Sequence, residues 1–211
     1  MTAAREAVLA RIREALGDGV PPPTVPRDYV TRGSSSPDVV VARFVEQVEE
    51  AGAGVLRADD TAMTVAAVLA QHGASRVVVA PDLAVDLRPA GVHLVEDGEL
   101  APRVLDALDG AVTTCAVACA DTGSIALDGG PGQGRRAITL VPDLHVCIVR
   151  PDQIVETVPD FLDRLERPAR DGRPIVIVSG PSATSDLGFE RVEGVHGPRR
   201  LVVVLVGGDA P

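Results

Sequence analysis

Two short segments of this chain concentrate the groups that could do chemistry. Ser179-Gly180-Pro181-Ser182-Ala183-Thr184-Ser185-Asp186 follows the apolar run Ile175-Val176-Ile177-Val178, and Gly194-Val195-His196-Gly197-Pro198 comes shortly after. Hydroxyls and small residues at the end of a strand suit a tight turn into a helix N-terminus, where free N–H groups welcome an anionic or carbonyl oxygen. Ser179, Gly180, Ser182, Thr184 and Asp186 are therefore candidate ligand contacts. His196, the one imidazole in this stretch, is the candidate acid–base group, and Gly197 beside it would let a ligand approach the backbone. An ordinary capped turn beside a buried histidine is the alternative reading of the same residues.

A second corner, Asp121-Thr122-Gly123-Ser124, also follows an apolar run. Asp121 could orient a donor or act as a base, Thr122 and Ser124 could bond a substrate, and Gly123 permits close approach. In open α/β sheets ligands sit beyond the carboxyl ends of strands, so this turn and the 179–186 turn are expected to face one crevice. Arg135 and Arg136, on a glycine-rich loop, could grip a carboxylate or phosphate with two prongs, or form a solvated pair.

Other constellations carry less. Gly132-Gln133-Gly134-Arg135-Arg136-Ala137 has dinucleotide-fingerprint spacing, but the short stretch before the next strand, with Pro142 in it, leaves no room for a crossover helix. Asp143 with His145, or Asp121 with His196, lacks diagnostic metal spacing, so no metal site is expected. His145, ahead of an apolar strand, reads as partly buried and hydrogen-bonded. Ser179 and Ser182 lie outside any Gly-x-Ser-x-Gly elbow. Cys115, Cys119 and Cys147 read as small buried apolar residues; in one strand the first two would lie about 13 Å apart.

Composition narrows the classes further. The formal net charge is −10 with 20 basic residues, every one an arginine. Without lysine there is no Schiff base and no Walker-A or kinase ammonium. An acidic chain with few aromatics is poorly built to bind nucleic acid. No apolar stretch reaches the roughly 20 residues of a membrane helix, and no secretory signal is visible, so a cytoplasmic location is expected.

The elements that must position these groups follow from periodicity. Residues 3–16 form an amphipathic helix, and 17–37 a proline-rich arm that packs on its own domain or on a partner. From residue 38 helical stripes alternate with β-branched strands: Val40, Val41, Phe44, Val45 and Val48 on a helix, 54–57 a strand, 61–72 a helix, 76–80 a strand. A weak strand at 92–95, a helix near 101–108, an apolar run at 111–120, a strand from His145 and a helix at 152–166, bent or broken at Pro159, come next. Strands at 174–178 and 201–206 complete a mostly parallel sheet covered on both faces, an α/β fold.

The motifs SGPSATSD, GVHGP, Asp121-Thr122-Gly123-Ser124-Ile125 and Gly134-Arg135-Arg136 through Leu140-Val141-Pro142-Asp143-Leu144-His145 together resemble the lactate-utilization protein C family, which consists largely of one LUD domain. The resemblance covers residues 38 to 206. Ser124 stands where the family commonly has threonine, and Ala183 where a larger residue such as arginine often stands. The resemblance implies a LUD domain over 38–211 behind a 1–37 helix and arm. It also implies a three-layer α/β/α fold similar to CoA transferases, sugar-phosphate isomerases and formyltetrahydrofolate cyclo-ligase. It further implies a non-redox subunit of a system oxidising L-lactate to pyruvate, binding a small organic acid or its partners. Cofactors would then be absent from this chain, with iron–sulfur clusters in the partner subunits. The alternatives are a stand-alone enzyme acting on an acyl, CoA or phosphosugar substrate, and a structural or regulatory module.

Overall fold

The computed structural model describes residues 3–17, 23–184 and 192–207. In chain order the helices are α1 (Ala3–Leu16), α2 (Pro37–Glu50), α3 (Thr61–Gln71), α4 (Pro102–Asp106) and α5 (Val158–Arg170). The strands are β1 (Gly54–Ala58), β2 (Arg76–Val79), β3 (His93–Glu96), β4 (Gly110–Thr114), β5 (Val117–Cys119), β6 (Ser124–Leu127) and β7 (Leu144–Val149). After them come β8 (Ile154–Val155), β9 (Val176–Val178), β10 (Ala183–Thr184), β11 (Val192–Glu193) and β12 (Arg200–Val206). Local chemistry explains several boundaries. Pro37 opens α2, where its missing N–H costs nothing. The Asp60 carboxylate caps α3 by accepting the Met63 N–H at 2.9 Å.

β1, β12, β7, β4, β2 and β3 form a six-stranded sheet in that order, parallel throughout. β7 lies at its centre and is buried along its whole length, as expected for a strand covered on both faces. On one face, Val65, Val68 and Leu69 of α3 pack on Val77, Val79, Val146, Val202 and Val204. On the other, Val40, Phe44 and Val48 of α2, four residues apart, pack on Cys147, Leu201, Val203 and Leu205. Burial of side chains such as Phe44 and Leu69 contributes about 1.5–3 kcal/mol each. The three-layer α/β/α arrangement is thus present, with an addition. A four-stranded sheet, β8-β5-β6-β9, lies on the α2 side, and Phe161 and Leu165 of α5 cover its far face.

That second sheet changes how several segments are used. The apolar run 111–120 is two strands: β4 belongs to the large sheet and β5 to the small one, because the chain leaves the large sheet after Thr114, whose N–H is taken by the Gly132 carbonyl at 3.0 Å. Residues 154–155 are extended rather than helical, pairing with β5, so α5 begins later. Pro159 accordingly sits in the first turn of α5 and bends nothing. Past the turn at Ser179 comes β10, paired antiparallel with β11, instead of a helix N-terminus.

The proline-rich arm is fastened to its own domain. Gly33 N–H donates to Asp160 Oδ2 at 2.8 Å, while Ser35 donates to Glu156 through N–H and hydroxyl at 2.8 and 2.7 Å. A β-carbon at Gly33 would meet Glu156 at 2.3 Å, so the approach needs glycine. By contrast, α1 buries no residue. Among the described residues no helix is long and apolar enough to cross a membrane.

Candidate functional site

β9 and the turn after it, the 196–198 loop and the beginnings of β7 and β12 enclose a cleft of about 230 Å³. Ser179, Gly180, Ser182, His196 and Gly197, all singled out from the sequence, line it, and His145 and Leu201 form part of its wall. Ser182 is the fastener that makes one site of two segments. Its N–H donates to the Pro198 carbonyl at 2.8 Å, its carbonyl accepts from Gly194 N–H at 2.8 Å, and its hydroxyl oxygen accepts from His196 N–H at 3.2 Å. The His196 imidazole is left exposed at the mouth.

A run of hydroxyls ties the 121–124 corner to the same rim. Ser124 N–H donates to Thr122 Oγ1 at 3.4 Å, the Thr122 hydroxyl donates to Ser124 Oγ at 2.8 Å, and Ser124 Oγ lies 2.7 Å from Ser179 Oγ. Either oxygen can supply the hydrogen between Ser124 and Ser179; where Ser124 supplies it, the Ser179 proton is left to point at the cleft. Ser182, whose oxygen accepts from His196 N–H, likewise keeps a proton to donate. Among the described residues no carboxylate lines this cleft, although the chain carries a net charge of −10. Hydroxyls and an imidazole on the lining offer donors that suit an anionic or carbonyl oxygen.

His145 was read from the sequence as partly buried; it is wholly buried, 1% exposed. Its Nε2 lies 2.8 Å from the Thr113 hydroxyl, and Nδ1 has no partner among the described residues. Burial lowers its pKa to about 4, so the ring is neutral near pH 7. Below the cleft, Asp143 receives Arg199 Nε at 2.6 Å and Arg200 at 3.1 Å. Partial burial works against its ionisation, but the two guanidiniums outweigh this and hold the carboxyl below its ordinary value.

Other candidates lie elsewhere. Asp121 is absent from the lining; its carboxylate is paired with Arg43 of α2 at 2.9 Å, an arrangement that holds the corner to the helix. Gly123, at φ +61, puts its α-carbon where a β-carbon would come within 2.8 Å of the α2 backbone, and Gly180, at φ +89, does the same 2.7 Å from the Ala51 carbonyl. Both glycines serve close packing on the end of α2. Arg135 does not reach for a ligand: it clamps Asp97, which is 2% exposed, through Nε at 2.6 Å and Nη2 at 3.0 Å, and also bonds the Leu100 carbonyl. Arg136 is exposed and lines a small depression that shares Thr139 and Val176 with the cleft. Thr184 lies in β10, beyond the lining, and Asp186 lies outside the described residues. The glycine loop has no crossover helix after it, only a single-turn 3-10 helix at Arg136–Thr139. A β-carbon on Gly132 would crowd Thr114 at 2.9 Å, and one on Gly134 would crowd Ile138 at 2.6 Å.

The position of the cleft also differs from expectation. His145 and Leu201 are the second residues of β7 and β12, so it opens at the amino ends of the parallel strands. The carboxyl ends carry separate crevices of about 510 and 450 Å³ that share Thr114, Arg150 and Gln153, with Asp60 and Thr61 on one of them. Sequence reasoning assigned none of these residues a role. Nor did it give His145 one, although the alternation of β7 puts His145 and Cys147 on one face, the face that the second sheet covers.

The LUD domain family model matches residues 94–206. The chain is 40% identical over 169 residues to a Lactate utilization protein C of Deinococcus radiodurans, a match spanning 80% of each chain. It is 30% identical over 120 residues to a Lactate utilization protein C of Halalkalibacterium halodurans, covering 55% of this chain and 49% of that one. The crystal structure of a DUF162 family protein from Deinococcus radiodurans is similar with a TM-score of 0.71 at 35% identity, over 82% of this chain and all of that one.

Proposed function

Because the chain belongs to the LUD domain family, we propose that it takes part in lactate utilisation as a non-redox subunit, and that its 179–182 and 196–198 cleft holds a small organic acid of that system. The observation that carries the acid-binding reading is the lining: hydroxyl and imidazole groups from three segments converge with no carboxylate among the described residues. The volume, about 230 Å³, is below the roughly 300–1,000 Å³ of pockets for drug-sized ligands. A hydroxy or keto acid of a few carbons is the matching class.

In this reading Ser179 and Ser182 bind the carboxylate or carbonyl oxygen. The exposed ring of His196 is the group placed to give or take a proton at the mouth, and Arg136 adds positive charge nearby. Electron transfer is assigned to iron–sulfur partner subunits. Cys115, Cys119 and Cys147 are all buried, and no group of three or more potential metal ligands occurs among the described residues.

A second reading, a stand-alone enzyme for an acyl, CoA or phosphosugar substrate, draws support from the crevices at the carboxyl ends of the strands, the usual ligand position in open parallel sheets. Thermal stabilisation separates the two. Purified protein is heated with L-lactate, pyruvate, CoA or a sugar phosphate. A rise with the acids that is lost in Ser182→Ala supports the first reading; a rise with CoA or the sugar phosphate alone supports the second. Retention of iron–sulfur proteins from lactate-grown cells tests the assembly.

A further inference from the structure

The His145 ring has one nitrogen accounted for and one that is not. Nε2 is 2.8 Å from Thr113 Oγ1, and Nδ1 is buried without any partner among the described residues. A buried polar atom left unpaired is destabilising, so such an atom calls for a reason. His145 is among the residues lining the cleft and Thr113 is not, so His145 stands between the β4 hydroxyl and the cleft, with Nδ1 itself less than 1 Å² exposed.

The proton on Thr113 decides the tautomer. A neutral imidazole has one donor and one acceptor nitrogen. The Thr113 hydroxyl must place its hydrogen somewhere, and besides Nε2 at 2.8 Å its recorded acceptor is Cys147 Sγ at 4.0 Å. The nitrogen is both nearer and the stronger acceptor. With Thr113 donating to Nε2, the better of its two acceptors, the ring hydrogen falls on Nδ1; with Thr113 donating to Cys147 it falls on Nε2.

We propose that the His145 ring tips toward the cleft when an acid binds, so that its Nδ1–H becomes the interior donor to a carboxylate or carbonyl oxygen, with Ser179 and Ser182 as the outer donors. This rests on the cleft being an acid-binding site, and adds a residue at its inner wall. A neutral imidazole donor suits the position: it satisfies one oxygen without placing a full charge in a dry wall formed with Leu140, Val178 and Leu201.

The test uses the full chain, with pyruvate and L-lactate as probes. Long-range proton–nitrogen NMR reports the tautomer, and calorimetric titration the affinity. The expected result is an Nδ1–H form of His145 whose resonance moves when either acid binds, and an affinity reduced about tenfold or more in His145→Leu. His145→Gln, which retains a partner for Thr113, serves as the second variant should the leucine chain fold poorly, with the same loss expected. An Nε2–H form, a resonance unmoved by a bound acid, or undiminished affinity in a folded variant overturns the inference and leaves the cleft reading in place. No binding of either acid to the wild-type chain overturns both.

Discussion

The side-chain oxygens of Ser124 and Ser179 lie 2.7 Å apart across 55 residues of sequence. This contact joins the turn between β5 and β6 to the end of β9, and through it the 121–124 corner touches the cleft without lining it. Ser124→Ala removes both of its hydroxyl bonds. The expected stability loss is about 1 kcal/mol, since Thr122 and Ser179 are exposed enough to be rehydrated. Urea denaturation measures this, and acid binding should weaken as Ser179 loses its orienting partner.

Arg135 and Asp97 form a partly buried ion pair at the glycine loop. Arg135→Ala would strand a carboxylate that is 2% exposed, whereas the arginine side chain is 37% exposed. A loss of about 2–3 kcal/mol is expected, under the 3–5 kcal/mol of a fully buried pair. If affinity for the acids falls while the urea midpoint stays constant, the assignment of Arg135 to architecture is wrong.

His145 makes stability depend on mildly acidic pH. Its ordinary value is 6.5 and its folded value about 4, so between these the unfolded chain binds the extra proton. Stability therefore falls as pH drops through this window, by up to roughly 3 kcal/mol. Asp143 and Asp160, held below the ordinary aspartate value, add their losses at still lower pH. In His145→Gln the slope between pH 6.5 and 4 should flatten, as followed by thermal melts.

Glycines at the two corners should respond differently. Gly180→Ala forces a β-carbon to 2.7 Å from a backbone oxygen at φ +89, but a β-carbon on Gly197 meets Ser182 at an ordinary 3.6 Å. The first change is expected to lower the melting temperature by several degrees. The second should leave it nearly unchanged while narrowing the cleft and weakening acid binding.

Acid should also loosen the arm. The Glu156 carboxyl lies below its usual range because the Ser35 N–H and hydroxyl donate to it. Its contribution is present above about pH 4.5 and disappears as pH falls below that. Hydrogen exchange at Ser35 should quicken in acid, and Glu156→Gln should quicken it at neutral pH. Protection unchanged in the variant would mean that the arm is held by other contacts.

Periodicity and turn chemistry were enough to read much of this fold. The stripe of Val40, Phe44 and Val48 declared α2, the β-branched runs declared β2, β7 and β12, and the hydroxyl-rich segment beginning at Ser179 and the one around His196, expected to face one crevice, border the same cleft. These signals are local, a side-chain period or a residue type at a turn, so one chain carries them in full. What no local pattern encodes is which strands pair. The 111–120 run is uniformly apolar whether it serves one sheet or two, and 154–155 is extended because β5 offers it an edge. Likewise Asp121 and Arg135 look like free functional groups until packing brings Arg43 and Asp97 against them, and His145 looks ordinary until a second sheet closes over its face of β7. Residue types thus determined which chemical groups were available, while long-range pairing decided which of them were consumed in holding the structure and which were left facing a cavity, because a polar group is spent once a partner reaches it.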